Sequence, residues 1–356
     1  MMLAHEIDGA VGETRSVMFA DGRPARIDIL RWSDEGRRAR WGELFVARVR
    51  TADRARRGAF LDLALKDEQG FLPFDAHGHM RIAPNEHRAV VEGETLVLRV
   101  TREGANGKSP VVEFVETLSA PAPLGRRARA PRDEELAGVQ GADAETRVRI
   151  DAALDEALAR DAGLRGGGRL IVERTAALTA IDVDAGGRRG SPDPEIFARD
   201  LDIEAAHEAV RQLILRSQGG LAAIDFVSLR GAENRRQVEA ALKQAAKSDH
   251  WGMILAPMSR FGVVELSRAQ LTRPVRDILC DETGAKTPET LALEALRAIE
   301  RESAAARGRK IVARLPARAA DWLDANVIPW RAALEARIGV YWEIEAGGAQ
   351  TDVRAL

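Results

Sequence analysis

Two short apolar runs in this chain end in the same way, ALTAID at 177–182 and GLAAID at 220–225, with one helical pattern between them. A strand, a helix and a second strand of this kind make a parallel crossover, which brings the C-terminal ends of both strands to one edge of a sheet. If the two strands are neighbours, about 4.8 Å apart, the carboxylates of Asp182 and Asp225 can share one small hard cation. Two carboxylates on one divalent ion are the minimal equipment for metal-assisted phosphodiester chemistry. The competing reading is that each Asp only caps a helix or a turn at a strand end. Asp184 follows two positions after Asp182 and points the same way in an extended segment, either as a third ligand or as a solvated turn residue.

The β/α alternation continues on both sides of this pair, from 147 to 279. RVRIDAALDEALAR reads as a helix, RLIVERT as a strand, 194–217 and 232–248 as helices, and WGMILAPM as another strand, together an α/β sheet domain. Upstream, the segment 1–38 contains a hairpin turning at Asp21-Gly22. Between 39 and 118 five short strand patterns, separated by Gly, Asp and Asn turns, suit a small barrel of OB type. Residues 119–146 lack periodicity and read as a mobile linker; its Arg-rich stretch 126–132 is either a soluble spacer or a foothold for RNA. The tail, 280–356, alternates helices and strands and reads as a small α+β subdomain. With 356 residues, 45% of them hydrophobic, the chain can fill several such cores.

Charge and cysteine content narrow the function further. A net charge of −2 argues against wholesale polyanion binding but permits a local basic face, and nearly all of the 53 cationic residues are Arg, the side chain suited to phosphate contacts. The single cysteine, Cys280, excludes a disulfide framework and a multi-cysteine zinc site within one chain. No signal-peptide core and no run of about 20 apolar residues occurs, so a cytoplasmic location with no membrane partner is expected.

In the expected barrel, Phe60 and Phe71 are either base-stacking rings or core residues, and Lys108 either meets a phosphate or is a solvated turn charge. The run 166–168 is three glycines without the Lys-Ser/Thr of a phosphate loop and reads as a turn. His77 and His79 lack a third metal-ligand partner, and no Ser/His/Asp order stands out.

The stretch 148–273 resembles the catalytic core of the ribonuclease E/G family. The resemblance rests on GGRLIVERTAALTAIDVDAG, DIEAAHEAVRQLILRSQGGLAAIDF, NRRQVEAALKQAAKSD and MSRFGVVELSRAQL. The segment 41–118 resembles the family's S1 domain, and the tail its small C-terminal subdomain. The fold this implies is an α/β catalytic core with a DNase I-like sheet, an inserted OB-type S1 β-barrel and a small α+β C-terminal subdomain. Asp182 and Asp225 match the family's two Mg²⁺-binding carboxylates, while Phe60, Phe71 and Lys108 match positions that hold single-stranded RNA. The resemblance implies endonucleolytic cleavage of single-stranded RNA by metal-activated water, leaving a 5′-phosphate and a 3′-hydroxyl, with Mn²⁺ as a substitute for Mg²⁺.

Several positions depart from the family pattern. Asp184 replaces an Asn beside the first metal ligand, where its extra charge can tighten the ion but repel the RNA phosphate. Ser228 replaces a further Asp, and Gly252 replaces an Arg that serves the family's 5′-monophosphate sensor. The block carrying that sensor gives way to the linker 119–146. At the zinc-link position the run is CDETG, at 280–284, so structural zinc is not expected and the chain is read as a monomer or a dimer without a zinc link. The leading expectation is a compact, Mg²⁺-dependent endoribonuclease indifferent to the 5′ end. The alternatives are an RNA-binding relative that cleaves weakly or not at all, and an assembly factor that uses the fold as a scaffold.

Overall fold

The computed structural model describes residues 2–105, 107–118 and 120–356. Asn106, in the expected turn before Lys108, and Ser119, the first residue of the expected linker, lie outside the described residues, as does Met1. The chain forms two compact units, one of Met1–Glu6, Val17–Ile27 and Asp151–Arg276, the other of Ile7–Ser16, Asp28–Ile150 and Asp277–Leu356.

The chain begins with a three-stranded sheet, β1 (Leu3–Ala10), β2 (Glu13–Ala20) and β3 (Arg23–Arg31), in that order. The expected hairpin is β2–β3. Asp21 and Gly22 both take positive φ, 48° and 77°, as a tight two-residue hairpin turn requires. β1 was not expected, because its LAHEIDGA carries acidic residues that an apolar count rejects. One of these, Asp8, is buried, and its carboxylate accepts from the Arg297 guanidinium and from Arg147 at 3.1 Å. Glu13 is likewise buried and receives Arg31 Nε at 2.8 Å. Buried charges survive here because each is paired.

The barrel comprises β4 (Leu44–Asp53), β5 (Gly58–Asp62), β6 (Gly70–Pro73), a side hairpin of β7 (Met80–Ala83) and β8 (Glu86–Arg88), then β9 (Thr95–Arg102) and β10 (Val111–Thr117). The order β4-β5-β6-β10-β9 closes through β4–β9, giving a five-stranded barrel in which β6 and β10 are parallel. Alternating residues such as Phe45, Val49, Leu61, Leu96, Leu98 and Val112 fill its interior. The five expected strands are these five. The β7–β8 hairpin is additional, and the Asp75 carboxylate shapes its entry by accepting the His77 and His79 N–H groups.

The stretch read as a mobile linker carries regular structure in its described residues, 120–146. It contains β11 (Gly125–Ala128), antiparallel to β4, and a helix, α1 (Pro131–Leu136). Its arginines are engaged within the chain: Arg126 with Glu35 and Glu43, Arg127 with Glu116, Arg129 with Glu35, and Arg132 with Asp28. Asp133 of α1 is buried against Arg40, whose Nε lies 2.6 Å from the carboxylate. Ion pairs and strand pairing order this stretch, so hydrophobic periodicity could not reveal it.

After α2 (Ala144–Leu158) comes a mixed sheet built from β12 (Asp161–Gly163), β13 (Arg169–Arg174), β14 (Thr179–Asp184), β15 (Gly220–Asp225), β16 (Met253–Leu255) and β17 (Val263–Arg268). The order is β12-β13-β14-β15-β17-β16, and only β14 and β15 pair in parallel. The helix of that crossover, α3 (Pro194–Leu215), starts at Asp193, whose side chain accepts the Glu195 and Ile196 N–H groups, with Pro194 in the first turn. α3 and α4 (Ala232–Ala246) bury Leu170, Ile181, Val183, Ile224, Val264 and Leu266 on one face of the sheet. The opposite face carries exposed side chains, including Asp182, Leu221, Asp225, Ile254, Glu265 and Ser267.

A short helix, α5 (Val275–Leu279), leads into the tail, which comprises α6 (Pro288–Ala305), β18 (Ile311–Leu315), α7 (Ala317–Asp324), α8 (Trp330–Ile338), β19 (Trp342–Ala346) and β20 (Asp352–Ala355). Its three-stranded sheet, β19-β18-β20, packs with α6 and α7 around Leu296, Ile299, Leu315 and Leu323, an α+β arrangement as expected. No helix among the described residues is long and apolar enough to cross a membrane.

Candidate functional site

Strand alternation determines what β14 and β15 present. Ile181 and Val183, and Ala222 and Ile224, turn inward against the helices, so Ala180, Asp182, Ala223 and Asp225 turn outward. The parallel register sets Ala180 beside Ala223 and Asp182 beside Asp225. Two carboxylates are thus held side by side on adjacent strands, above a floor of small alanines. Both are exposed, and among the described residues neither has a hydrogen bond or an ion pair. Like charges directly opposite one another destabilise a sheet, so an uncompensated pair is the arrangement a cation would relieve. The donor set, two open carboxylates with room for water, fits a hard divalent ion.

Asp184 is not left open in this way. Its Oδ2 accepts from Arg169 Nε at 2.9 Å and its Oδ1 from the Gly186 N–H at 2.9 Å. The Gly186 amide and then the Arg169 guanidinium hold its carboxyl below the usual range. The register that opposes Arg169 to Asp184 across β13–β14 makes this pair. Gly168 turns tightly beside it, since a Cβ there would lie 2.8 Å from the Asp184 carbonyl oxygen.

One carboxylate near the pair was missed by the reading of the sequence. Asp202, on α3, is fully buried, and its Oδ1 accepts the Val227 N–H at 3.0 Å, fixing the chain just past Asp225. Its Oδ2 is buried with no hydrogen-bond partner. Burial, reinforced by the charge of Asp225, pushes its carboxyl up to about 7, against the opposing Val227 hydrogen bond. The signal was present: Asp202 falls four after Ala198 and three before Ala205, on the stripe that α3 buries.

The barrel carries its own cluster. Phe60 and Phe71 are cross-strand partners on β5 and β6, both half-buried, with ring centroids 5.4 Å apart and planes tilted 59°. The Arg56 guanidinium lies 5.5 Å from the Phe60 ring centre. Gly58 is what lets the Phe71 ring lie close, because a Cβ there would come within 2.2 Å of it. Lys108 is exposed in the turn entering β10, whose Val111 is the parallel partner of Phe71.

The departures from the family pattern also have places in the structure. Ser228 is exposed in the loop following Asp225. Gly252 has φ +82°, a conformation that any side chain would strain. In the turn after Cys280 the Asp281 carboxylate accepts from the Thr283 hydroxyl at 2.6 Å and from the Thr283 and Ala285 N–H groups at 2.9 and 3.1 Å. Among the described residues no group of three or more His, Cys, Asp or Glu side chains is arranged to hold a metal ion. The open aspartate pair therefore stands on its two carboxylates alone.

Comparison with known proteins agrees with this layout at the level of family. The model of the ribonuclease E/G family matches residues 83–271, just over half of the chain. Ribonuclease E of Escherichia coli (strain K12) is 33% identical over 181 residues, 49% of this chain and 17% of that protein. Ribonuclease E of Haemophilus influenzae is 32% identical over 181 residues, covering 49% and 19%, and ribonuclease G of Salmonella typhimurium 32% over 159 residues, covering 43% and 32%. The matches thus span a third or less of these relatives' lengths. With the family model covering both strands of the aspartate pair, the chain belongs to the ribonuclease E/G family.

Proposed function

We propose that the protein is a compact endoribonuclease that cuts single-stranded RNA in the cytoplasm with Mg²⁺, in RNA processing or decay, leaving 5′-phosphate and 3′-hydroxyl ends. The observation that carries this reading is the in-register, unpaired couple Asp182–Asp225 on the helix-free face of the sheet. These two side chains would hold the ion. When bound, it supplies a Lewis acid for the phosphodiester and water of lowered pKa. Asp184, neutralised by Arg169, adds little repulsion toward an approaching phosphate. Asp202 acts from behind, positioning the backbone after Asp225 through the Val227 N–H. We assign the sheet to the DNase I-like class and the barrel to the S1 type, with Phe60, Phe71 and Lys108 stacking bases and meeting phosphate.

In this reading no 5′-sensor block stands between barrel and core, and β11 and α1 occupy that stretch. Arg126 to Arg132 then serve the fold rather than RNA. With the turn at 280–284 closed by Asp281, the chain works as a monomer or as a dimer without a zinc link.

The test compares wild type with Asp182→Asn and Asp225→Asn on single-stranded RNA with Mg²⁺, with Mn²⁺ as the alternative ion. Loss of one ligand should slow cleavage by about a hundredfold or more, the scale of several kcal/mol in transition-state stabilisation. Equal rates in all three proteins, or no cleavage by wild type, would sink the reading. RNA binding without cleavage would leave an RNA-binding relative, the alternative favoured by Ser228 standing in place of a carboxylate.

A further inference from the structure

We propose that the turn 259–262 is a nucleobase-stacking site, where the exposed ring of Phe261 and the guanidinium of Arg260 seat single-stranded RNA beside Asp182 and Asp225, with Arg189 and Arg230 holding flanking phosphates. This rests on the reading that the chain acts on single-stranded RNA.

Of the nine phenylalanines, Phe261 is the only exposed one, 70% open to solvent. It does not sit on a loose loop. The turn closes the β16–β17 hairpin through Ser259 N–H to the Val263 oxygen at 2.8 Å and Gly262 N–H to the Ser259 oxygen at 3.1 Å. Ser259 Oγ also accepts the Phe261 and Val263 N–H groups at 3.3 and 3.2 Å. Gly262, at φ +90°, completes the turn. A ring fixed this way binds without the entropy cost of ordering a loop.

Its position follows from the register. Val263 pairs with Asp225, and the Phe226 N–H reaches the Gly262 oxygen at 3.3 Å, so the turn adjoins the strand end that carries the second aspartate. Two further loops leave the same edge, one after Asp184 and one after Asp225. Each of the three carries an exposed arginine: Arg189, Arg230 and Arg260. None of these guanidinium groups donates to a carboxylate among the described residues, in contrast to the paired arginines of 126–132. Arg260 instead lies over the Phe261 ring, 4.6 Å from its centre. A cation and an aromatic face presented together suit a base and its phosphate at once. Exposed cations around an acidic couple, of which Arg230 also faces the Glu195 carboxylate, complement a polyanion whose scissile group must approach that couple. An acidic polypeptide satisfies the arginines but has no planar base for the ring.

The probe is a fluorescent single-stranded oligoribonucleotide bound to the full chain without divalent ions, so that no cleavage intervenes. Phe261→Ala should weaken binding by about tenfold, while Phe261→Trp retains it. Arg260→Ala should weaken binding and flatten its salt dependence. A 4-thiouridine oligonucleotide, cross-linked and digested with trypsin, should mark the peptide 261–268. Wild-type affinity in both alanine variants, with adducts absent from that peptide, overturns the proposal. So does polyglutamate displacing the RNA at equal concentration of charge. Failure here is separable from failure of the cleavage reading. Phe261-dependent binding without cleavage keeps this site and removes the catalytic assignment; cleavage unaffected by Phe261→Ala does the reverse.

Discussion

Asp202 shows how much one side chain can change the pH behaviour of this protein. Its carboxyl is pushed up to about 7 in the folded chain, whereas in the unfolded chain it titrates near its ordinary value of 3.8. Between these values the native state holds the extra proton, so the stabilisation from Asp202 is complete below about pH 4 and is lost as pH rises through about 7. Asp202→Asn keeps an acceptor for the Val227 N–H and removes the titration. The variant should melt at least about 2 °C above wild type at pH 8, with a smaller gap at pH 5. Thermal unfolding at the two pH values decides it, and parallel shifts would contradict the assignment. At this scale the sequence was partly legible. Asp182 and Asp225 could be read from period-two alternation, because each side of a strand is dictated locally. The neutralisation of Asp184 could not, because it depends on which residue of β13 stands opposite, a register set by the whole sheet.

Elements defined by hydrophobic period were readable in advance; those defined by pairing were not. α3 and α4, with their apolar stripes, lie close to the expected spans, and the parallel crossover joins the strands it was expected to join. β11 and α1 escaped because GRRA and PRDEEL look like a solvated connection until β4, Glu35, Glu43 and Arg40 are in place. The Arg40–Asp133 pair gives a direct test. Asp133→Ala leaves the buried Arg40 guanidinium with Asp34 but without its shortest ion pair, a loss of about 1.5–3 kcal/mol for hydrogen bonds to a charged group. Urea unfolding should show that loss, and trypsin should cut at the arginines of 126–132 that it spares in wild type. Unchanged stability together with unchanged cutting would mean that α1 is held by packing alone.

At the scale of the molecule, a barrel, an α/β sheet and an α+β tail followed from the spacing of turns and the alternation of patterns. The sharing of the N-terminal strands between two units did not. The strands themselves bury charges such as Asp8 and Glu13, which composition assigns to the surface. The sheet that carries the aspartate pair has its helices on one side only, and the other side holds Leu221, 58% exposed, and Ile254, 78% exposed, as well as the two carboxylates. Chemistry on such a platform needs no tunnel and no free terminus to thread, so a strand can be laid across it sideways. If the protein is the endoribonuclease proposed above, a covalently closed circle of RNA is expected to be cut at the rate of the linear molecule of the same sequence, when the two are timed side by side on a denaturing gel. A circle that resists while its linear form is cut would mean that an end must be held first. Matching rates would mean that the internal position of a site, rather than its distance from an end, governs where the proposed cleavage falls.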